Sequence, residues 1–455
     1  MTSDQHLLQA DQQARRDALD VSRSFIVQAP AGAGKTELLI QRYLKLLAVV
    51  DNPEEVIAIT FTRKAAAEMQ FRVLGALQLA LRVEEPLEEH QKLTRSLAVA
   101  ALRRDGECGW QLLANPRRMR IQTLDALQAS IARSRPVFSP EGARGSRVVV
   151  DAELRNLHRA AALATLDWLV ESGPAQDATR EVLVHVDTNT GLYVEYLSQM
   201  LGSRDQWLPF IGSGHTSSSE AAQLRARFER NLATAVSSHL QRTADAFGES
   251  IAHELPALCA YAATNSGASD AAPSCIVELQ QITALPGPDT GHLGQWIALA
   301  ELLLTKAGTF RRTVDKRQGF PAKDDGQKAA MKSLLASLSD DAELAELLHT
   351  ARGLPAVQYT DEQWRVLLAL FRLLPLAVIE LKRLFAEQGA TDHIEVAMIA
   401  GAVLGTADEP GDIALLLDYQ IRHLLIDEMQ DTSLAQYRML EALTGGWEPG
   451  DGRTL

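Results

Sequence analysis

Short apolar runs alternate with longer periodic segments through the first part of the chain. The apolar runs Phe25–Val27 and Val56–Ile59 have the length and the composition of strands, and the segment Arg118–Thr123 is predicted to be a further short strand. Segments whose apolar residues recur every three or four positions follow these runs, as in Lys35–Val49, and this spacing predicts helices. Strands that alternate with helices indicate an α/β fold with a parallel sheet.

The middle of the chain has a different pattern. From about residue 150 to residue 385 helical periodicity dominates, as at Leu367, Leu370 and Leu374, and loops rich in glycine and serine interrupt it. Near the other end, the apolar run Ile421–Ile426 predicts one more strand. The middle shows no repeat of fixed period and no catalytic constellation.

The turn after the first predicted strand has the composition of a phosphate-binding loop, and strand, loop and helix follow in the order that such a loop requires. Gly32 and Gly34 tolerate positive φ and let the backbone approach an anion. The loop amides and the helix N-terminus offer hydrogen bonds and partial positive charge. Lys35 would reach the β- and γ-phosphates of a nucleotide, and the Thr36 hydroxyl would ligate Mg²⁺. The predicted loop consists of Ala29, Pro30, Ala31, Gly32, Ala33, Gly34, Lys35 and Thr36.

The strict form of this loop has a glycine six residues before the lysine, where this chain has Ala29. A small residue at that position keeps the turn feasible. The alternative interpretation is a glycine-rich turn that caps an ordinary helix. The agreement of motif and context favours the phosphate loop.

A second chemical feature lies at the end of the last predicted strand. Asp427 and Glu428 directly follow the apolar run, and in a parallel α/β sheet that end of a strand faces the ligand crevice. Asp427 would hold Mg²⁺, and Glu428 would orient or deprotonate the attacking water. Adjacent carboxylates also occur as plain surface charge. Because the loop and this strand tip lie nearly 400 residues apart, the helical block between them is predicted to be an insertion into one α/β core.

The segment Thr60–Met69 begins where the second predicted strand ends. Thr62 suits the N-cap position, and the alanines after it favour a helix. Hydroxyl groups and Arg63 can hold phosphates, and Phe61 offers a face on which a base of a single strand can stack. Packing of Phe61 in the core is an alternative that the sequence supports equally.

Composition limits the class of protein. A length of 455 residues allows two or three domains, and 46% hydrophobic with 23% charged residues fits a globular protein. No apolar run is long enough to span a bilayer and the N-terminus is no signal peptide, which predicts a cytoplasmic protein without a membrane partner. Cys108, Cys259 and Cys275 lack metal-binding spacing and are predicted to be thiols in a reducing compartment.

The net charge of −13 argues against a generally basic surface for nucleic acid. The charge is uneven, however, since residues 101–150 contain nine arginines against four acidic residues. A solvated face is the plain interpretation of such a cluster. Its position beside the predicted strands favours contact with a polyanion.

Four segments together resemble motifs I, Ia, Ib and II of the UvrD/RecB-like superfamily 1 DNA helicases. Asp392–Ala397 is similar to the Asp-Phe-x-Asp-Leu segment of the RecB/AddA branch, the helicase–nuclease subunits, with His393 where phenylalanine is usual. The long helical block also resembles that branch. The four motif-like segments, in chain order, are Ala29–Thr36, Thr60–Met69, Thr123–Leu127 and Leu425–Thr432.

The resemblance implies an α/β P-loop NTPase with a RecA-like core. Residues 1–149 would form the first part of this ATP-binding core, 150–385 a helical insertion subdomain, and 386–455 the second part with the Asp-Glu motif. The implied activity is ATP-driven 3′-to-5′ translocation on single-stranded or partially duplex DNA in repair and recombination. ATP and Mg²⁺ are the implied cofactors, and a second helicase–nuclease subunit is an implied partner.

The resemblance also implies roles for individual residues. Lys35, Asp427 and Glu428 would be catalytic. Mg²⁺ would be held by Thr36 and Asp427, and Gln430 would join the nucleotide site. The residues implied to lie along the DNA path are Phe61, Thr62, Arg63 and Thr123.

Three positions depart from the pattern of these helicases. These helicases usually carry a glutamine near the N-terminus that recognises adenine and stands three residues before an alanine. In this chain Arg15 stands three residues before Ala18. Asp125 stands where many relatives have histidine, and an acid there would repel phosphate. Met429 replaces a usual aromatic residue, which changes packing only.

No segment resembles motif III, a second RecA-like domain, an arginine finger or a nuclease domain. An arginine from the second core domain contributes ~10³–10⁵ in rate in related phosphoryl-transfer systems. The expectation is therefore a truncated product or a fragment that binds Mg·ATP weakly and has little or no unwinding activity. Two alternatives remain: a non-catalytic DNA-binding or regulatory module derived from a helicase, and, less favoured, a different P-loop NTPase.

Overall fold

The computed structural model describes residues 3–30, 32–82, 88–134, 146–170, 172–211, 218–267, 275–321, 325–406 and 409–455. The chain divides into two compact units. The first consists of Met1–Gly214 with Leu370–Leu455, and the second of His215–Ala369. A helix at Asp361–Gln388 carries the chain from the second unit back into the first.

The first unit contains the strands and most of the helices. Its strands are β1 Val56–Thr60, β2 Arg120–Thr123, β3 Arg147–Val148, β4 Ala390–Thr391 and β5 His423–Ile426. Its helices before the second unit are α1 Ser3–Asp17, α2 Lys35–Leu47, α3 Arg63–Ala80, α4 Glu89–Cys108, α5 Leu124–Ser134, α6 Asp151–Ala164, α7 Pro174–His185, α8 Thr190–Leu201 and α9 Arg204–Trp207.

The second unit is built from helices α10 Ser218–Asp245, α11 Glu249–Gly267, α12 Leu293–Leu303, α13 Asp325–Leu338 and α14 Ala342–Ala351. Helix α15 Asp361–Gln388 leads back to the first unit, where α16 His393–Leu404, α17 Asp412–Gln420 and α18 Leu434–Thr444 follow.

The main sheet has three parallel strands in the order β2-β1-β5. Strand β1 is central and every one of its residues is buried. Thr60 lies opposite Thr123 of β2, and Ile59 lies opposite Ile426 of β5, so the carboxyl ends of the three strands meet at one edge. This arrangement confirms the strands predicted at Val56–Ile59, Arg118–Thr123 and Ile421–Ile426.

Alternate side chains of β1 enter two separate cores, as the two-residue period of a strand requires. Val56 and Ala58 pack with residues of α2, α3 and α4 on one face of the sheet. Ile57 and Ile59 pack with residues of α5, α16, α17 and α18 on the other face. Helices thus cover both faces, and the edge where the strands end carries the polar residues.

The strand predicted at Phe25–Val27 is wrong. In the described residues this segment is irregular, and the Ile26 side chain is 99% exposed. The Phe25 N–H donates to the Leu455 carbonyl oxygen over 3.1 Å, and the Leu455 N–H donates to Ser24 Oγ over 3.1 Å. Two such bonds do not make a ladder, and β-branched residues form a strand only where a neighbouring strand pairs with them.

The second unit has its own apolar core. Trp296 of α12 has no exposed surface, and its indole N–H donates to the Gly287 carbonyl oxygen over 3.0 Å. Arg352 donates to the Ala300 and Leu304 carbonyl oxygens, which satisfies the end of α12. This unit lies within the predicted insertion of residues 150–385, and the division of the chain at 149 and 385 stays a prediction.

The three cysteines are free thiols. Cys108 of the first unit and Cys275 of the second are exposed, whereas Cys259 is buried and its burial raises the pKa of this thiol to about 12. Within the described ranges, no group of three or more histidine, cysteine or acidic side chains is arranged to hold a metal ion. Among the described helices, none has the length and apolar character needed to cross a membrane.

Candidate nucleotide and nucleic-acid site

The predicted phosphate loop leads directly into α2. Gly32 has a φ of 78° and Gly34, the N-cap residue of α2, a φ of 80°, both in the left-handed region that favours glycine. No side chain caps the helix at Gly34, so the first N–H groups of α2 have no side-chain acceptor. A Cβ atom at Gly32 would meet nothing within 4 Å, which leaves open space above the loop. Uncapped N–H donors next to the open space at Gly32 are suited to bind phosphate oxygens.

Helix α2, which follows the loop, and a turn inside the loop hold the loop in place. Ile40 and Leu44 of α2 are buried in the core beneath the sheet face, and the Leu38 N–H donates to the Gly34 carbonyl oxygen over 3.1 Å. The Ala33 N–H donates to the Pro30 carbonyl oxygen over 3.3 Å, which closes a turn inside the loop. Ala31 lies outside the described residues. Lys35 and Thr36 are half-buried at the start of the helix.

The acidic pair lies at the tip of β5. The Asp427 N–H donates to the Ile59 carbonyl oxygen over 2.9 Å, which places the Asp427 backbone beside the end of β1. Burial and the neighbouring Glu428 raise the pKa of Asp427, whereas the Lys35 charge acts in the opposite direction. Helix α2, which begins at Lys35, shares a core with β5, since Ile40 and Leu44 pack there with Leu425, although nearly 400 residues separate Lys35 from Asp427 in the sequence.

Glu428 has an unusual backbone conformation. Its φ of 53° is in the left-handed region, which an L-residue other than glycine adopts at a cost of about 1 kcal/mol or more. Gln430 donates from Nε2 to Glu428 Oε2, so the exposed carboxylate has a partner on its own turn. Non-glycine residues held in such conformations cluster at active sites and ligand clamps.

The predicted DNA residues lie at the ends of β1 and β2. Thr62 Oγ1 accepts from the Ala65 N–H over 3.1 Å and caps α3, and Thr123 Oγ1 accepts from the Ala126 N–H over 3.2 Å at the start of α5. Phe61 is 50% exposed, so the alternative of full core packing is wrong. Arg63 is exposed and has no ion pair with a described residue. The structure thus brings these residues and the acidic pair to one edge of the sheet.

Several arginines of residues 101–150 have acidic partners. Arg118 makes a two-point contact with Glu54, with distances of 2.7 and 3.0 Å. Three further pairs join Arg103 to Glu107, Arg104 to Asp51 and Arg147 to Glu153. These pairs reduce the charge available for a polyanion. Arg135 and Arg144 lie outside the described residues.

Sequence reasoning missed one contact at this site. Arg15 of α1 donates from Nη2 to the Ala33 carbonyl oxygen, inside the predicted phosphate loop, over 2.5 Å. The only signal in the sequence was the position of Arg15 three residues before Ala18. That spacing indicates that Arg15 lies near the nucleotide, but it does not indicate that Arg15 contacts the Ala33 carbonyl oxygen.

Residues 9–138 and 314–448, more than half of the chain, match the UvrD/REP helicase N-terminal domain. The chain belongs to the UvrD/REP helicase N-terminal domain family. This membership confirms the resemblance predicted from the four motif-like segments. It also fits an α/β P-loop NTPase fold, here with a small parallel sheet and mostly helical surroundings.

Curated relatives match shorter segments. The chain is 41% identical over 75 residues to an ATP-dependent helicase/nuclease subunit of Lysinibacillus sphaericus, a match that covers 16% of this chain and 6% of the relative. It is 40% identical over 93 residues to the protein of the same name from Desulfitobacterium hafniense, covering 19% and 7%. It is 44% identical over 70 residues to the DNA helicase II of Salmonella typhimurium, covering 15% and 10%. The matched segments thus span a tenth or less of these relatives.

Proposed function

We propose that this chain is the ATP-binding motor portion of a UvrD/RecB-type DNA helicase or translocase. In this proposal residues 1–149 and 386–455 form a RecA-like core, and 150–385 form a helical insertion. The observation that carries the proposal is that α2, which begins at the loop, packs through Ile40 and Leu44 in one core with Leu425 of β5, the strand that ends at Asp427. Ligands of open α/β sheets bind at that edge.

The residues present fit a nucleotide with Mg²⁺. Lys35 and the uncapped N–H groups of α2 would bind the triphosphate of ATP. Thr36 Oγ1 and the Asp427 carboxylate are oxygen ligands of the kind that Mg²⁺ prefers, and bound Mg²⁺ would neutralise developing phosphate charge. Glu428 would orient and deprotonate the attacking water, and Gln430, bonded to Glu428, would hold that carboxylate in place.

Single-stranded DNA would lie along the same edge of the sheet. Phe61 would stack on a base, and Thr62, Thr123 and Arg63 would hold phosphates. Both threonine hydroxyls accept a backbone N–H, so the O–H of the exposed Thr62 can donate to a phosphate oxygen, whereas Thr123 is only 8% exposed. The direction of movement in this proposal is 3′ to 5′, on DNA in the cytoplasm. Two of the relatives are named as helicase/nuclease subunits, which supports assembly with a second subunit.

Nucleotide binding tests the first part of this proposal. Replacement of Lys35 by alanine is expected to weaken binding of a fluorescent ATP analogue in the presence of Mg²⁺. Loss of a hydrogen bond to a charged group, about 1.5–3 kcal/mol, corresponds to roughly 10- to 150-fold in Kd. Lys332→Ala removes the same charge from an exposed position of α13 and should leave the Kd unchanged. Equal affinity of wild type and Lys35→Ala would contradict the assignment.

DNA binding tests the second part. Replacement of Phe61 by alanine is expected to weaken binding of a labelled oligothymidylate, measured by fluorescence anisotropy, because stacking of a base on an aromatic ring is worth about 1–3 kcal/mol. Phe71→Ala is the matched control, since Phe71 is 76% exposed on helix α3 and away from the strand end. A loss of affinity as large for Phe71→Ala as for Phe61→Ala would show that the effect is not local to this edge.

A further inference from the structure

Arg15 reaches the phosphate loop from a separate helix. Its side chain leaves the last turn of α1, and Nη2 donates to the Ala33 carbonyl oxygen over 2.5 Å. Nη1 lies 3.4 Å from the position that a Cβ atom would take at Gly34, the N-cap residue of α2. The guanidinium group therefore lies against the part of the loop where a triphosphate would bind.

Packing of the residues that follow α1 holds the end of this helix, and with it Arg15, against α2. Ala18 and Leu19, which follow α1, form a small apolar cluster with Leu38 of α2. Arg42, a buried residue of α2, donates from Nη1 to the carbonyl oxygens of Ala18 and Asp20 over 2.6 and 2.9 Å. The end of α1 is thus tied to the helix that carries the loop, so Arg15 and Lys35 have a fixed spatial relation.

Most of the guanidinium donors are not used in the described structure. Arginine has five N–H donors. Nε donates to Asp11 Oδ2 over 2.8 Å, and one N–H of Nη2 donates to Ala33. The N–H groups of Nη1, nearest to Gly34, have no acceptor among the described residues. A guanidinium group is also the side chain best suited to bind phosphate oxygens by two parallel bonds.

We propose that Arg15 is a phosphate-binding residue, which donates from Nη1 to a phosphate oxygen of the bound nucleotide while Nη2 holds the loop at Ala33. This inference rests on the proposed function, because it requires a triphosphate in the loop. Arg15, which lies outside the loop sequence, would join Lys35 and Thr36 as a third side chain at the triphosphate site. Because the contact is to phosphate, its contribution to affinity is the same whichever base the nucleotide carries.

The test compares Arg15→Ala, Arg15→Gln and the control Arg16→Ala. Arg16 is the exposed neighbour on α1, so its replacement removes the same charge from the same helix. Affinities for ATP, GTP and inorganic tripolyphosphate are measured by displacement of the fluorescent ATP analogue with Mg²⁺ present. Both Arg15 variants are expected to lose about tenfold for all three ligands, and Arg16→Ala none.

The glutamine variant separates phosphate binding from a role in shaping the loop. Glutamine can still donate to the Ala33 carbonyl oxygen but carries no charge. Wild-type affinity in Arg15→Gln, or a loss for ATP without a loss for tripolyphosphate, would overturn the inference. If Lys35→Ala weakens ATP binding and Arg15→Ala does not, the inference about Arg15 fails alone. If wild type and Lys35→Ala bind ATP equally, the proposed function fails first.

Discussion

Replacement of Arg204 by alanine is expected to destabilise the first unit by about 3–5 kcal/mol, because it leaves buried carboxylates without their partner. Arg204 has no exposed surface and donates to both oxygens of Asp392, over 2.7 and 2.6 Å. Nη2 also lies 3.2 Å from Glu395 Oε2, and Lys382 Nζ lies 2.9 Å from the other oxygen of Glu395. Without Arg204, the basic side chains that the described contacts leave beside these two acids are Lys382 next to Glu395 and His158, whose Nε2 lies 3.6 Å from Asp392 Oδ2.

Because the chain has two units, the loss of stability should be measured in the part of the first unit that contains Asp392. Hydrogen exchange followed by mass spectrometry, on peptides that cover α16, reports the opening of this helix alone. Asp392 Oδ1 accepts from the Glu395 N–H over 2.8 Å and caps α16, so this helix senses the pair directly. Arg155→Ala, an exposed arginine of α6, is the control and should change stability by less than about 0.5 kcal/mol. A change below about 1 kcal/mol in Arg204→Ala would show that the pair is not needed.

The same variant should be more sensitive to acid. Burial by itself raises the pKa of Asp392, but the hydrogen bonds and charge of Arg204, together with His158, outweigh burial and hold this pKa well below its usual value. A carboxyl with a lowered folded-state pKa adds stability above its unfolded pKa and loses it as the pH falls towards the folded pKa. In Arg204→Ala burial dominates, so unfolding should begin at a higher pH than in wild type.

Replacement of Gly319 by alanine is expected to destabilise the second unit by about 2–5 kcal/mol. Gly319 has a φ of 80°, and a Cβ atom there would lie 2.0 Å from the carbonyl oxygen of Ala262 in α11. That atom belongs to a helix backbone and cannot rotate away as a side chain would. Left-handed strain of about 1–2 kcal/mol and overpacking of about 1–3 kcal/mol therefore act together. Urea denaturation followed by circular dichroism measures the loss.

Gly109 provides the control that separates these two causes. Its φ is 70° at the end of α4, and a Cβ atom there would meet nothing within 4 Å. Gly109→Ala should therefore show only the strain, about 1–2 kcal/mol. If the two variants lose equal stability, close approach of α11 is not what selects glycine at position 319.

The sequence predicts features that depend on local pattern. Continuous apolar runs predicted β1 and β5, because a buried strand of a parallel sheet has such a run, and the segment Arg118–Thr123 predicted β2, in which buried and half-buried residues alternate. The loop before Lys35 and the strand tip at Asp427 were predicted at one edge, since parallel strands end together. The strand predicted at Phe25–Val27 is absent because pairing with a neighbouring strand decides whether such a run forms a strand, and the local pattern does not contain that information.

Contacts between residues that are distant in the sequence could not be predicted from local patterns. Arg204 and Asp392 are 188 residues apart, and no local periodicity links Arg204, in the short helix α9, to Asp392 at the start of α16. The resemblance marked Asp392–Ala397 as a segment of interest, but the buried arginine that neutralises Asp392 became visible only in the structure. The contact of Arg15 with Ala33 is of the same kind, as two helices must pack before the side chain can reach the loop.

The cysteines offer a practical use of this architecture. Each compact unit exposes one thiol, at Cys108 in the first and at Cys275 in the second, whereas the buried Cys259 is shielded. Burial and the nearby Glu301 raise the pKa of Cys275, so the reaction of this thiol with a maleimide dye should be slow near neutral pH and faster at higher pH. A second dye added at higher pH would complete a donor–acceptor pair on the natural sequence. Energy transfer between the dyes would then report whether addition of nucleotide or DNA changes the distance between Cys108 and Cys275.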